Sequence, residues 1–293
     1  MEGFQKLERI GCSTSARAYK ARDRAKGNFV FLKKIRLDEE QIGLPQNMLR
    51  EISIHKTLSH PNVVELYKVV KCERKIALVF EYVDQSLCDI LCKHRLSGGL
   101  PTSLIKSYTF QMLAGIAFCH SQRVIHRDLK PQTILVDRTG ILKLSSFTFA
   151  SIIRPTSTLT HEVVTIWYRC PEILLGAEHY STAIDIWSIG CIIAELASDE
   201  PLFPGAGPEI VQLILIFQLL GTPTEETWAG VSQLRDYNPL FPRWHAKDLG
   251  ALLPRLDAEG VALLARTLTY DPARRISAAE AMGMPYLHEA DER

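Results

Sequence analysis

Two short apolar runs, Ile134-Leu135-Val136 and Ile141-Leu142-Lys143-Leu144, flank Asp137-Arg138-Thr139-Gly140. A glycine that closes so short a polar loop predicts a tight hairpin. Polar residues stand at both mouths: His126-Arg127-Asp128-Leu129-Lys130-Pro131-Gln132-Thr133 before the first run, and Ser145-Ser146-Phe147-Thr148 after the second. Such a hairpin presents side chains from two segments to one cleft, and the rest of the chain must be built to hold that cleft.

On the N-terminal side, Phe4 to Ile10, Ala16 to Arg22 and Phe29 to Lys34 read as three strands parted by turn-like residues. Pro45 followed by helix formers predicts a helix to about Leu58. Strands over Val63 to Lys71 and Lys75 to Phe80 come next, and Leu104, Tyr108, Met112 and Ile116 at i,i+4 spacing predict a buried helix from Leu104 to His120. Gly205 to Leu220 carries Ile210, Val211, Leu213, Ile214, Leu215, Ile216 and Phe217, apolar nearly all round a helix. That means either deep burial or a face for a partner.

The 293 residues suffice for two lobes with cores of their own, and 46% hydrophobic with 23% charged residues is ordinary for a globular chain. A formal net charge of +1 sets up no global field towards nucleic acid or membrane. The polar start MEGFQKLERIG is unlike a signal peptide, and Ile210 to Leu220 is too short to span a bilayer. Seven cysteines without a C-x-x-C pair fit a reduced, cytoplasmic and/or nuclear protein, with Cys88 and Cys92, four apart, read as helix packing.

His126 to Thr133 resembles the protein-kinase catalytic loop H-R-D-L-K-P-x-N, and Val30-Phe31-Leu32-Lys33 resembles the V-A-I-K strand. Pro45 to Glu51 is similar to the cyclin-facing helix of the cyclin-dependent kinases. KKIRLD (Lys33 to Asp38), THEVVTIWYR (Thr160 to Arg169), Cys170-Pro171-Glu172, DIWSIGC (Asp185 to Cys191), GTP (Gly221 to Pro223) and DPARR (Asp271 to Arg275) extend the resemblance to that family from Met1 to about His288. It implies an α+β, bilobal protein kinase fold: a small β-rich N-lobe with one regulatory helix, residues 1–83, and a larger, mostly helical C-lobe, residues 84–293.

The resemblance also implies roles. Asp128 would accept the substrate proton, Lys130 would sit by the transferred phosphate, and Lys33 would pair with Glu51, with Thr165 completing the catalytic set. Ile10, Gly11, Ala18, Phe31, Lys33, Phe80, Glu81, Val83 and Leu135 would surround ATP, with Phe80 the gatekeeper and Glu81 to Val83 the hinge. Thr133 and Ser146 occupy the two magnesium-ligand positions. Thr160 would be the activation-segment phosphosite, read by Arg50 and Arg127, and Leu49, Arg50 and Glu51 would face a cyclin. A small accessory subunit would fit residues 205–220, and Glu172 would pair with Arg274 in the C-lobe. His55 replaces a leucine in the stack that couples the lobes.

The departures cluster at the nucleotide and metal site: Ser13, Ala16, Phe31, Thr133, Ser146 and Thr148. Magnesium prefers anionic or carbonyl oxygen, and both of its side chains are hydroxyls here. The expectation is a pseudokinase that serves as a regulatory binding module for a cyclin-like partner, with ATP and magnesium binding weak or lost. The alternatives are a weak Ser/Thr kinase acting at Ser/Thr-Pro sites, or a copy without function. Phe31 is expected to point into the cleft against Leu135 and Phe80, since strand residues two apart share a face with Lys33.

Overall fold

The computed structural model describes residues 3–12, 16–36, 46–72, 75–153, 166–179 and 181–290. Ser13, Thr160 and Thr165 lie outside them.

Strands β1 (Phe4–Cys12), β2 (Ala16–Asp23) and β3 (Phe29–Arg36) are followed by helix α1 (Gln46–Thr57), β4 (Leu66–Cys72) and β5 (Lys75–Glu81). The five strands form one antiparallel sheet in the order β1-β2-β3-β5-β4. Alternation along β3 splits the N-lobe core in two. Val30 and Leu32 join Ala21 and Val79 on one face. Phe31 packs on the other face with Ile35, Met48, Ile52, Leu78, Phe80 and Val83. Helix α1 covers that second face through Met48 and Ile52 and leaves Leu49 48% exposed.

After β5 come β6 (Gln85–Ser86), α2 (Leu87–Arg95), α3 (Thr102–Ser121), β7 (Val124–Ile125), β8 (Ile134–Val136), β9 (Leu142–Leu144) and β10 (Ser151–Ile152). Helix α2 starts on a reciprocal cap, Ser86 with Asp89. Strands β8 and β9 pair antiparallel, with Leu135 opposite Lys143, as the hairpin pattern requires. Helices α4 (Pro171–Leu174), α5 (Ala183–Ser198), α6 (Glu209–Leu220), α7 (Leu249–Leu252), α8 (Ala258–Thr267) and α9 (Ala278–Met282) complete the C-lobe. Helix α5 is buried on nearly every side, with Trp187 and Ile189 to Ile193 inside one core shared with α3, α6 and α8. Helix α6 buries Gln212, Leu213, Ile216 and Phe217 and leaves Ile210 44% exposed, so burial claims one face of it. No described helix is long and apolar enough to cross a membrane.

The lobes meet at the turn between α1 and β4. Val64 N–H donates to the Leu144 carbonyl at 2.9 Å, Leu144 N–H to the Asn62 carbonyl at 2.8 Å, and the Asn62 amide to the Leu142 carbonyl at 2.8 Å. Helix α3 closes on this turn at Gly115, where a Cβ would lie 2.8 Å from the Asn62 carbonyl oxygen. Glycine is thus required by close backbone approach.

One expected pair is corrected. Glu172 is held by Arg275, not Arg274, through Nη1–Oε1 at 2.7 Å and Nη2–Oε2 at 2.9 Å. Arg274 is exposed. Two adjacent arginines follow the Asp271 turn, and spacing alone does not say which turns inward. The inner one also donates to the carbonyls of Thr269, Tyr270 and Ala183, which satisfies a guanidinium with five donors.

Candidate active-site cleft

Strand β3 brings Lys33 to the cleft and α1 brings Glu51. Lys33 Nζ lies 2.7 and 2.8 Å from the two Glu51 carboxylate oxygens. The third partner is Thr148, which follows Phe147 beyond the hairpin and accepts from Lys33 Nζ at 2.9 Å. The Thr148 hydroxyl in turn lies 3.4 Å from Glu51 Oε2. An ammonium has three N–H donors, so the acceptors around Lys33 match its full capacity. The sequence marks Thr148 as a departure from glycine, but its bond to Lys33 spans 115 positions and no local pattern signals it.

The catalytic-loop side is equally self-satisfied. Lys130 Nζ pairs with Asp128 Oδ1 at 2.8 Å. Thr133 is buried, and its hydroxyl donates to the Asp128 carbonyl at 2.8 Å while accepting from Lys130 N–H at 3.2 Å. The hydroxyl therefore turns into its own loop. The Ser145 hydroxyl and N–H both donate to the Thr133 carbonyl, at 2.8 and 3.0 Å, tying the loop to the far strand. Ser146 is exposed at φ 65. A left-handed serine costs on the order of 1 kcal/mol unless other contacts hold it.

The loop is anchored from beneath by Asp185 at the start of α5. Its carboxylate accepts His126 N–H and Arg127 N–H, each at 2.9 Å, and lies 2.9 Å from His120 Nε2. Burial pushes the Asp185 carboxyl up, but the His120 hydrogen bond, the His120 and His126 rings and the Arg127 N–H together hold it below the ordinary carboxylate range. Asp185 stands in the DIWSIGC motif, so its position was legible but its two loop contacts were not.

A column of rings crosses between the lobes. Phe80 meets His55 with centroids 4.9 Å apart, His55 meets Phe147 at 4.9 Å, and Phe147 meets His126 at 4.7 Å. His126 lies 2.8 Å from the Ser145 carbonyl through Nε2 and accepts Asp128 N–H through Nδ1 at 3.3 Å, which a neutral ring protonated at Nε2 satisfies. His55 is less well served. It is 5% exposed, and its Nδ1 has no hydrogen-bond partner. Burial first, then the Lys33 and His126 charges, push its pKa down to about 3, against a weaker opposing hydrogen bond to the Val64 backbone.

Around the expected adenine position, Phe31 and Leu135 of β8 both pack against the buried cluster that includes Phe80 and Val83. The Phe31 and Phe80 centroids are 6.3 Å apart. Gly11 pairs with Ala18 across β1 and β2, and a Cβ on Gly11 would sit 3.7 Å from that of Ala18. Ile10 is half exposed at the rim. Glu81 binds Lys143 of β9 at 2.9 Å. The structure thus groups Phe31, Phe80, Val83 and Leu135 in one cluster and sets Gly11 beside Ala18. Arg50 is exposed on α1, and Arg127 has φ 71 beside Asp128.

A family model for the protein kinase domain matches residues 4–287. The chain belongs to the protein kinase domain family. Its sheet-bearing N-lobe and helical C-lobe are those of a kinase domain, and members of that family use ATP and magnesium. The residues of this kinase domain do not fit the metal. Thr133 is engaged within its loop, Ser146 offers a neutral hydroxyl, and no group of three His, Cys, Asp or Glu side chains suited to a metal occurs among the described residues. At Lys33, Glu51 and Thr148 are the side-chain partners of the ammonium.

Proposed function

We propose that this kinase domain is a pseudokinase of cyclin-dependent-kinase type, a binding module that keeps the closed kinase shape without transferring phosphate. The observation that carries this reading is the Lys33 site: Glu51 and Thr148 together accept from all three of its donors. In a working kinase that lysine must address nucleotide phosphates as well as the helix glutamate. Here Thr148 takes the Lys33 donor that Glu51 leaves over.

The partner we infer is a cyclin-like protein docking on α1. Leu49 and Arg50 are exposed on it, while Met48, Glu51 and Ile52 are buried. Ile152 and Ile153, at the start of the activation segment, are also exposed, at 39% and 37%. An apolar partner surface would cover such residues.

Thermal denaturation with ATP, alone and with magnesium or manganese, tests the catalytic half, since a ligand that binds the native state raises the melting temperature. No shift is expected, nor transfer to a Ser-Pro peptide above an Asp128→Asn control. Metal-dependent stabilisation together with turnover that vanishes in that control would establish a weak Ser/Thr kinase instead. A Leu49→Asp variant tests the partner half: a charge forced into an apolar contact abolishes binding of a cyclin-box protein. Unchanged binding refutes the α1 surface.

A further inference from the structure

Helix α2 carries two cysteines four residues apart, and burial in the core does not account for both. Cys88 is half-buried and Cys92 is exposed, whereas Cys119, Cys170 and Cys191 are buried in the core. Residues four apart lie on one helix face with Cβ atoms about 6 Å apart. The two thiols are close enough for Cys88 to hydrogen-bond Cys92. Gln132 of the catalytic loop donates its amide to Cys88 Sγ at 3.6 Å. The pair therefore sits at the rim of the cleft, where α2 meets the turn Pro131–Thr133.

We propose that Cys88 and Cys92 form a two-coordinate site for a soft monovalent cation, Cu(I) being the chemical type. Thiolates select soft metals. Zinc wants four ligands, and no group of three His, Cys, Asp or Glu suited to a metal occurs among the described residues. Two sulfurs facing each other across one helical turn meet instead the demand of a d10 monovalent ion that binds linearly between two thiolates. Binding releases one proton from each thiol and changes no oxidation state: two S–H bonds break, two metal–sulfur bonds form, and the site carries one net negative charge. Lys93, His94 and Arg95 follow in the last turn of the helix, while Asp89 and Glu195 are the acidic neighbours that Cys88 senses. Gln132 supplies the outer hydrogen bond that ligating groups commonly require. Burial, and then the neighbouring Cys92, holds the Cys88 thiol above its ordinary range.

The test uses the full, reduced chain, titrated anaerobically with Cu(I) buffered by bicinchoninate. One ion is expected per chain, with affinity falling at least a hundredfold in Cys88→Ser and in Cys92→Ser. X-ray absorption should count two sulfur neighbours. A Cys12→Ser, Cys72→Ser background should retain the site, which separates it from the two cysteines whose side chains lie outside the described residues. Serine at exposed Cys92 does not disturb the core, so a loss there, with an unchanged melting temperature, reads ligation and not unfolding. Equal affinity in either single variant, a third strong ligand at copper, or tighter binding of Zn(II) in the same competition overturns the proposal.

Discussion

Thr148 accepts a hydrogen bond from Lys33 at 2.9 Å, across 115 positions of sequence. Glycine offers no such hydroxyl. The substitution therefore does two things at once: it fills the third donor of the lysine, and it fastens the far strand to the Lys33–Glu51 pair that joins the sheet to α1.

Replacing Thr148 with valine keeps the shape and removes the acceptor. One donor of a lysine that is 20% exposed then turns to whatever water reaches it. Thr148→Val is expected to lower unfolding free energy by about 1 kcal/mol, as the loss of a single charged hydrogen bond at a part-wet site does. Urea denaturation measures it. Unaltered stability would mean that the Thr148 contact is incidental to the closed state.

Phe31 is the second departure that the proposed function turns on. The ring lies beside Phe80, on the cluster against which Leu135 also packs, so truncation opens a gap there. Because Phe31 is only partly buried, Phe31→Ala should cost about 2–3 kcal/mol, under the range for a wholly enclosed ring. Restoring Thr133→Asn, Ser146→Asp and Thr148→Gly should produce no ATP-dependent thermal shift alone and a measurable one when Phe31→Ala is added. A shift in the triple variant would acquit Phe31.

His55 makes the stability pH-dependent. Its folded pKa, about 3, lies below the ordinary value near 6.5, so the unfolded chain takes up a proton that the folded chain refuses. Stability is full above about pH 6.5 and declines through the window down to about 3, by up to about 1.4 kcal/mol per pH unit. His55→Leu should remove that contribution and, by eliminating an unsatisfied buried nitrogen, add about 1–2 kcal/mol at pH 7. Subtracting the variant's pH profile from that of the parent isolates the effect, since the carboxylates are common to both. Parallel profiles would place the protonation elsewhere.

Arg274 and Arg275 can be told apart by mutation. Arg275→Met leaves Glu172 buried without its partner and should destabilise by about 3–5 kcal/mol. Arg274→Ala, at the surface, should stay within about 0.5 kcal/mol. Calorimetry of the two variants decides the pairing.

What could be read in advance follows from the range of the interactions. The hairpin, the five strands and helices α1 and α3 announce themselves through alternation, turn residues and i,i+4 spacing, all local. Phe31 was legible because its face is fixed by Lys33 two residues away. Arg275 was not, because choosing between neighbouring arginines depends on carbonyls at Thr269, Tyr270 and Ala183 that only folding assembles. The Thr148 bond and the ring column through His55 are likewise tertiary. The start of α2 was missed although Ser86-x-x-Asp89 is a capping signal, since its apolar face is short.

Asp185 grips the catalytic loop from the side that faces away from the cleft. The outline of that loop is therefore underwritten by the C-lobe floor, whereas its reactivity depends on residues that point the other way. Changes on the upper side leave that anchorage in place. Shape and chemistry are in this way inherited on separate accounts, and a lineage can relinquish the reaction while still presenting a partner with the surface of a kinase.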